Sequence, residues 1–285
     1  MIIDGTALAQ GIKESLRERA AALSGRAGRR PCLAVVLVGD NPASRTYVRS
    51  KIKAAAFVGI EGREVEFPAT VSEEELLKAV AALDADPLVD GILVQLPLPH
   101  QINPDRVLDV ISPEKDVDGF HPQNVAALQL GRPCTVPCTP KGIIRLIEST
   151  GTDIDGKFAV VVGRSNIVGK PLAKLLLDRN ATVAIAHSHT PCLAELTRRA
   201  DILVVATGHA GLIDGYMVKP GAIVIDVGIT RMPDKSIRGD VDFDSASRYA
   251  GFITPMPGGV GPMTVAMLME NTLECFEKRV VNASL

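Results

Sequence analysis

The amino-acid sequence predicts an α/β protein made of two lobes, each with parallel β-strands joined by helices. Short apolar runs, typical of strands buried on both faces, recur along the chain and alternate with segments of helical periodicity. Residues 97–140 interrupt this alternation, because they are rich in proline and largely aperiodic. Such a segment indicates a functional loop, a connection between domains, or both.

The first lobe is predicted to be a β-α-β-α-β unit with right-handed crossovers. Asp40 or Asn41 is a suitable N-cap for its first helix and Pro42 a suitable first-turn residue. Ser72 and Glu75 form a capping box at the start of its second helix. The predicted strands are residues 33–38, 63–67 and 91–96, and the predicted helices are residues 42–58 and 72–83.

The second lobe repeats the alternation and ends in one long amphipathic helix, about residues 262–280. Its predicted strands are residues 158–162, 181–186, 202–206, 222–227 and 252–254, and its other helices are residues 169–178, 192–200 and, weakly, 215–218. We therefore predict a first domain of residues 1–138, completed by the C-terminal helix at about 262–285. A second domain comprises residues 139–261.

Composition excludes several classes of function. The 285 residues carry a net charge of -2, so no basic excess points to nucleic acid. No apolar run reaches the ~18 residues of a membrane span, and the N-terminus lacks a signal-peptide pattern, which predicts a soluble, cytoplasmic protein. The five cysteines are scattered without a CxxC pair, as suits a reducing compartment. Cys134, Cys138 and His121 are poorly spaced and lack a fourth ligand, so we predict no metal site.

Residues 160–171 read as a strand, a tight turn and a helix start. Gly163 permits the sharp turn, and the helix beginning near Gly169 directs its free N–H groups towards an anion such as a pyrophosphate. The spacing departs from GxGxxG, so a plain βα turn is the alternative. The next strand ends in His187–Ser188–His189–Thr190 without the carboxylate of NAD-selective sites. Arg164, Ser188 and a histidine suit a 2′-phosphate, so the sequence favours NADP over NAD.

Lys51 is the most informative residue of the first lobe. On a helical wheel it shares one arc with Tyr47, Val48, Ile52, Ala54, Ala55 and Val58, opposite Arg45, Arg49 and Lys53. Burial there would lower the pKa of the Lys51 amine towards neutrality and make it a proton acceptor. A side chain that extends past the apolar face to water is the alternative, and the helix alone does not decide between them.

Three further segments supply candidate ligand contacts. Gln95 ends the third strand at the edge where α/β sheets bind ligands. Asp116 and Asp118 form a DxD pair, which is often only a solvated turn or a metal fragment. Residues 254–264, TPMPGGVGPMT, form a rigid loop with few side chains that suits a flat ligand, unless it is a structural turn.

Together these segments resemble the bifunctional methylenetetrahydrofolate dehydrogenase/cyclohydrolase family. The matching stretches run in order from residue 38 to 268: VGDNPASRTYVRSKIKAA, GILVQLPLPH, SPEKDVDGFHPQN, PCTPKGI, VVGRSNIVGKPLA, ATVAIAHSHT, GAIVIDVGI, GDVDF and TPMPGGVGPMTVAML. Three residues depart from the family pattern: Met256 replaces a usual valine, Val125 a usual glycine, and His189 a common arginine or lysine. The last of these weakens the preference for NADP.

The resemblance implies a folate-binding first domain, a Rossmann-type NADP domain, and a C-terminal helix that packs back towards the first lobe. It implies NADP-dependent oxidation of 5,10-methylenetetrahydrofolate and hydrolysis of the methenyl product to 10-formyltetrahydrofolate. It also implies a homodimer that serves purine, histidine and methionine biosynthesis. Lys51 would be the acid/base group, tuned by Gln95, with Tyr47 shaping the pocket and Asp118 holding the pterin amino edge.

The remaining implied contacts fall into two sets. Those for NADP are Gly163, Arg164, Ser165, Ile167, Ser188, Ala206, Thr207, Gly208 and Ile229. Those for the folate are Tyr47, Val94, Leu96, Asp118, Pro257, Gly258, Gly259 and Val260. Two rival functions are a nicotinamide dehydrogenase for a shikimate-like or amino-acid substrate and a non-catalytic binding module. Reduction of NADP with methylenetetrahydrofolate as the sole substrate separates them.

Overall fold

The computed structural model describes residues 1–234 and 236–282 and divides into two compact units. The first unit comprises residues 10–138 and the segment from residue 265 onward. The second unit comprises residues 1–9 and 139–264. No helix in these described ranges is long and apolar enough to cross a membrane.

Between residues 32 and 94 the strands and helices alternate as predicted, but the structure adds a long N-terminal helix that the sequence analysis did not predict and three helices after the last strand. The elements up to residue 148 are α1 (Gly5–Ala27), β1 (Cys32–Val38), α2 (Pro42–Val58), β2 (Glu61–Phe67), α3 (Glu73–Ala85), β3 (Gly91–Val94), α4 (Pro104–Val110), α5 (Pro122–Gln129) and α6 (Cys138–Glu148). The first unit contains a three-stranded parallel sheet in the order β2-β1-β3. Every residue of the central strand β1 is buried, as its uninterrupted apolar sequence predicts.

Residues 97–140 are more regular than predicted. Two short helices, α4 and α5, lie within the segment, and α6 begins at its end. Pro104 and Pro122 each occupy the start of a helix, and the side chains of Asn103 and His121 cap those helices. Proline at this position needs no N–H partner and has a suitable φ, so the prolines start these helices rather than prevent them.

The second unit carries the remaining elements. They are β4 (Phe158–Val162), α7 (Gly169–Leu177), β5 (Thr182–Ala186), α8 (Leu193–Thr197), β6 (Ile202–Val205), a 3-10 turn (Gly215–Met217), β7 (Ile223–Asp226), β8 (Thr230–Arg231), β9 (Ile237–Arg238), α9 (Phe243–Ala246), β10 (Phe252–Ile253) and α10 (Val260–Asn282), whose C-terminal part belongs to the first unit. Five strands form a parallel sheet in the order β10-β7-β6-β4-β5, and β8 and β9 form an antiparallel hairpin.

The order of this sheet locates its binding edge. The chain passes from β4 to β5 on one side and then returns to β6 on the other side of β4. The crevice outside the carboxyl ends of β4 and β6 is therefore a topological switch point, where α/β sheets bind their ligands. The turn after β4 contains Gly163, and the turn after β6 contains Thr207 and Gly208. The parallel α/β sheet predicted for this unit is therefore present.

The C-terminal part of α10 packs into the first unit, as predicted. The buried Asn271 side chain donates 2.9 Å hydrogen bonds to the carbonyls of Val117 and Val136. Near its end, Arg279 contacts the fully buried Asp90 at 2.8 Å, and Arg29 contacts the same carboxylate at 2.7 Å. The Arg279 pair fixes the helix beside β3, and loss of either arginine would leave the buried charge of Asp90 less well compensated.

Candidate active site

The amine of Lys51 is held inside the first unit. The side chain is partly buried, and Nζ donates a 2.8 Å hydrogen bond to Oε1 of Gln95. Burial lowers the pKa of Lys51, and the negative charge of Asp118 opposes part of that effect. Of the two alternatives open from the sequence, the structure supports the desolvated amine over one that extends to water.

Helix α2 places this amine through its own local sequence. The side chain of Asn41 caps the helix by accepting from the N–H groups of Ala43 and Ser44, and Gly59 ends it in a left-handed conformation. Val48 and Ala55 are fully buried on the face that carries Lys51, whereas Lys53 is exposed on the opposite face. The predicted amphipathic arrangement is therefore present.

Tyr47 is a partial exception to that prediction. Its angle on the wheel falls within the buried arc, yet the residue is 38% exposed. Tyr47 lies close to the N-terminus of α2, where residues 41–43 are exposed as well. Burial depends on the position along the helix axis as well as on the angle around it. Partial burial still raises the pKa of the Tyr47 phenol.

Gln95 follows β3 and is fixed at both ends. Its backbone N–H donates to the Val36 carbonyl at 2.8 Å, which extends the β1–β3 pairing by one residue. Its Nε2 donates to the Leu96 carbonyl at 2.7 Å, so Oε1 is turned towards Lys51. The Leu96–Pro97 peptide is cis. Val94 is only 5% exposed and packs in the core, so contact of its side chain with a ligand is not supported.

The two carboxylates of the DxD pair have different environments. Asp116 is buried and accepts from the backbone N–H groups of Gly119 and His121 and from Asn124 Nδ2, at 2.8–2.9 Å. It organises the loop that presents Asp118. Burial raises the pKa of Asp118 to about 6, which the nearby Lys51 charge partly offsets. The DxD pattern alone does not separate these two roles, whereas the family resemblance assigns the ligand contact to Asp118 only.

Cys138 is a neighbour of Asp118 that the sequence did not identify as part of this site. Its Sγ donates to the Val117 carbonyl at 3.3 Å and lies 3.9 Å from Oδ1 of Asp118. Cys138 and Asp118 are 20 residues apart in the chain, so no local pattern connects them.

His121, a candidate metal ligand in the sequence, instead caps a helix by accepting from the backbone N–H of Gln123. Within the described ranges, no group of three or more His, Cys, Asp or Glu residues is arranged to hold a metal.

In the second unit, two glycines permit close backbone contacts at the switch point. A Cβ on Gly163, whose φ is +127°, would lie 2.2 Å from the Ala206 carbonyl oxygen. A Cβ on Gly169 would lie 2.1 Å from the Gly163 carbonyl oxygen. A side chain at either position would collide with the neighbouring backbone, so glycine is required for the close approach of the turn after β4 to Ala206 and to the start of α7.

One detail of the predicted anion site needs correction. The N–H groups of Val168 and Gly169 donate to Ser165 Oγ at 3.2 and 3.3 Å, and that of Lys170 donates to the Ser165 carbonyl at 3.1 Å. The prediction of free N–H groups at the start of this helix is therefore wrong for these three residues. The serine replaces a conventional N-cap because Val168 has no side chain that accepts a hydrogen bond.

The predicted 2′-phosphate contacts lie at the surface of the second unit. Arg164 and Ser188 are exposed, and the rings of His187 and His189 stand edge to face with centroids 5.9 Å apart. Ile167 and Ile229 are 43% and 45% exposed, which leaves their apolar side chains available to a flat ligand. Ala206 and Thr207 are partly buried, and Gly208 is exposed with a positive φ.

The glycine-rich loop before α10 is packed closely against the N-terminal segment of the chain. A Cβ on Gly5 would lie 2.0 Å from the Gly259 carbonyl oxygen, and Thr6 Oγ1 lies 3.4 Å from the Gly258 carbonyl oxygen. The Met256–Pro257 peptide is cis, and Pro257 is exposed. Val260 is only 3% exposed, so any ligand contact there would come from its backbone.

Comparison with known proteins gives one family over most of the chain. Residues 3–118 match the model of the tetrahydrofolate dehydrogenase/cyclohydrolase catalytic domain, and residues 137–280 match that of its NAD(P)-binding domain. The bifunctional protein FolD of Listeria innocua is 57% identical over 97% of each chain.

Two solved structures are similar over nearly the whole length. The bifunctional FolD methylenetetrahydrofolate dehydrogenase/cyclohydrolase of Campylobacter jejuni is 48% identical, with a TM-score of 0.95 over 98% of this chain and 99% of that one. The Trypanosoma brucei enzyme, solved with NADP and an inhibitor, is 44% identical, with a TM-score of 0.94 over 98% and 97% of the two chains.

Proposed function

The chain belongs to the tetrahydrofolate dehydrogenase/cyclohydrolase family, and we propose that it performs both reactions of that family. It oxidises 5,10-methylenetetrahydrofolate to the 5,10-methenyl cation with NADP and hydrolyses that cation to 10-formyltetrahydrofolate. The observation that carries this proposal is the Lys51 amine, desolvated, bonded to Gln95 and influenced by the charge of Asp118.

The lowered pKa of Lys51 suits a cationic intermediate. A protonated amine would repel the methenyl group, whereas a neutral amine avoids this cost and has a free lone pair. As water attacks the methenyl carbon, Lys51 takes a proton from it. When the carbon–nitrogen bond of the ring then breaks, the ammonium returns that proton to the departing nitrogen, and the hydroxyl group of the adduct releases its own proton to solvent as it becomes the formyl oxygen. Gln95 fixes the position of Nζ through its 2.8 Å hydrogen bond.

Asp118 supplies an acceptor for the folate. With a pKa of about 6, its carboxyl group is mainly ionised at pH 7 and suits the N–H-rich edge of a pterin. Asp116 holds the surrounding loop through three hydrogen bonds and is therefore a positioning residue. Partly exposed Tyr47 and Leu96 are proposed contacts for the body of the substrate.

The second unit fits NADP by its own geometry. Gly163 and Gly169 let the turn after β4 pack tightly against the neighbouring backbone at the switch point, and β5 is followed by Ser188 and two histidines rather than by a carboxylate. Arg164 supplies a cation for the 2′-phosphate. NADP accepts the hydride when bound. The chain's part is to position the coenzyme through the turns after β4, β5, β6 and β7, which contain all nine proposed contact residues.

The decisive experiment is a paired assay of the purified protein. NADPH formation is followed at a fixed concentration of methylenetetrahydrofolate, and loss of methenyltetrahydrofolate is followed separately without coenzyme. We expect both activities, with kcat/KM higher for NADP than for NAD. Absence of both activities in folded protein would refute the proposed function. Equal kcat/KM values for NADP and NAD would refute the preference for NADP.

We also propose a homodimer in the cytoplasm. None of the five cysteines, all of which lie in the described ranges, forms a disulfide bond, in keeping with a reducing compartment. Sedimentation equilibrium tests the oligomeric state, and a monomer at micromolar concentration would contradict the dimer. Fractionation of cells that express the untagged chain tests the location.

A further inference from the structure

Two buried aspartates lie next to the coenzyme-binding edge of the second unit without belonging to the proposed contact set. Asp226 is the last residue of β7 and is 3% exposed, and Asp240 follows the β8–β9 hairpin and is 0% exposed. Neither forms a salt bridge with a described residue. Burial of a carboxylate without a cation is costly, so the hydrogen bonds of each group account for its presence.

The carboxylate of Asp226 holds the backbone that carries Asp240. Oδ1 accepts from the N–H groups of Gly228 at 3.0 Å and Asp240 at 2.9 Å, and Oδ2 accepts from Val241 at 3.0 Å. The Asp226 N–H in turn donates to Thr254 Oγ1 at 2.8 Å. All oxygens of this carboxylate are therefore committed to backbone donors.

The carboxylate of Asp240 holds the turn after β6. Its Oδ2 accepts from the N–H of Thr207 at 2.5 Å, from Thr207 Oγ1 at 2.9 Å and from the N–H of Gly208 at 2.9 Å. Oδ1 is buried and accepts no hydrogen bond from the described residues. Oδ2 thus accepts all three hydrogen bonds from the turn, while Oδ1 accepts none from the described residues.

The surrounding backbone is built to admit both carboxylates. A Cβ on Gly228 would lie 2.0 Å from Asp240 Oδ1, and a Cβ on Gly239 would lie 1.8 Å from Asp226 Oδ2. Any side chain at these glycines would displace an aspartate. The two hydrogen-bonded groups and the two glycines therefore form one compact arrangement at the ends of β6 and β7.

We infer that Asp240, held in place by Asp226, is a positioning residue for NADP, because it fixes the Thr207–Gly208 turn at the switch point. This inference rests on the proposed function, in which Thr207, Gly208 and Ile229 contact the coenzyme. Asp226 bonds the Gly228 N–H, so the same pair also fixes the residue that precedes Ile229. Movement of either segment would weaken NADP binding without touching the Lys51 group in the first unit.

The two aspartates predict opposite results for the same chemical change. In Asp240→Asn, the amide oxygen accepts from Thr207 and Gly208, and NH2 takes the position of Oδ1, which has no donor to oppose. In Asp226→Asn, either orientation sets NH2 against a backbone N–H, because both oxygens accept. Asp240→Ala removes all three bonds to the turn.

The test measures KM and Kd for NADP in these three variants, with the coenzyme-independent hydrolysis of methenyltetrahydrofolate as the control for folding. We expect Asp240→Ala and Asp226→Asn to raise both constants about tenfold or more. Hydrolysis should stay within about twofold of wild type, and Asp240→Asn should bind NADP nearly as wild type does. Wild-type NADP binding by Asp240→Ala, or an equal loss of binding in both asparagine variants, would overturn the inference.

Two outcomes need separate interpretation. If Asp240→Ala also loses hydrolysis, its folding is in doubt and the near-isosteric Asp226→Asn variant becomes the test. A raised KM for NADP in Asp226→Asn supports the inference, and an unchanged KM for NADP overturns it. If the wild-type protein itself neither binds nor reduces NADP, the proposed function fails. Normal wild-type turnover with unaffected variants refutes only the positioning role.

Discussion

Nζ of Lys51 lies 2.8 Å from Oε1 of Gln95, and the same amide donates through Nε2 to the Leu96 carbonyl at 2.7 Å. The bond to Leu96 fixes the Gln95 amide so that its oxygen faces Lys51. The direct partner of the amine is therefore a neutral amide and not a carboxylate. A neutral partner does not counter the effect of burial as a directly bonded anion would. This arrangement keeps the pKa of Lys51 below its ordinary value.

Replacement of Lys51 by methionine should abolish ring opening and sharply reduce the dehydrogenase reaction. Methionine preserves most of the buried volume but removes the proton acceptor, for which a loss of about 10²–10⁴-fold in rate is typical. Methenyl hydrolysis and NADPH formation are measured in parallel. Lys53→Met is the matched control, because Lys53 is exposed on the opposite face of α2. Wild-type hydrolysis by a folded Lys51→Met variant would contradict the mechanism.

Gln95→Glu should shift the pH profile of hydrolysis upward. A carboxylate at hydrogen-bond distance favours the protonated amine and therefore raises the pKa of Lys51. The neutral fraction at pH 7 then falls, so activity at that pH falls and recovers as the pH rises. The measurement is kcat/KM for hydrolysis against pH. A profile that superimposes on that of wild type would show that the Gln95 contact does not control the amine.

Asp118 predicts a loss of folate binding on the acid side. Its pKa is raised to about 6, so the carboxylate is lost as the pH falls through 6 rather than near 4. KM for methylenetetrahydrofolate should therefore increase below about pH 6. Asp118→Asn should bind more weakly at pH 7 and should lack this limb of the profile. If KM for methylenetetrahydrofolate rises below pH 6 in Asp118→Asn as it does in wild type, the titrating group is not Asp118.

Arg164→Ala should reduce the preference for NADP. The exposed arginine follows the Gly163 turn, and an arginine–phosphate contact contributes through charge and paired hydrogen bonds. KM for NADP should rise several-fold, while KM for NAD should change little because NAD lacks the 2′-phosphate. Both constants are measured on the same preparation. If KM rises equally for NADP and NAD, Arg164 contacts a part of the dinucleotide other than the 2′-phosphate.

Gly5→Ala should destabilise the protein by about 1–3 kcal/mol, since its Cβ would overlap the Gly259 carbonyl oxygen. Gly11→Ala is the matched control in the same helix, because a Cβ there meets no atom within 4 Å. The control should be neutral or more stable by up to about 1 kcal/mol. Thermal unfolding of both variants gives the comparison, and equal Tm values would refute the close contact.

Local sequence was sufficient for the strands of the two parallel sheets and for most of the helices between them, but it did not predict the N-terminal helix α1 or helix α6. Apolar runs located β1 and β4, and the Asn41–Pro42 and Ser72–Glu75 patterns located the starts of α2 and α3. Asn103–Pro104 and His121–Pro122 carry the same kind of start signal. Those two helices were missed because the density of prolines suggested an irregular segment.

The site was only partly predictable, for a physical reason. Lys51 was recognisable because its position conflicts with the charge pattern of its own helix. Contacts such as Asp240 with Thr207, 33 residues apart, or Cys138 with Asp118 arise only when the sheet and its loops assemble. Whether a carboxylate is solvated or buried, as distinguishes Asp118 from an ordinary DxD, likewise depends on tertiary packing.

The Asn271 side chain joins Val117 and Val136 to the last helix, and this has a consequence for synthesis on the ribosome. The carbonyl of Val117, adjacent to Asp118, accepts from Cys138 Sγ and from Asn271 Nδ2, and the second of these donors is translated only 154 residues further on. Early-emerging domains usually fold first. The first unit therefore stays incomplete until α10 has been translated, so we expect chains that end before α10 to become clients of chaperones and proteases.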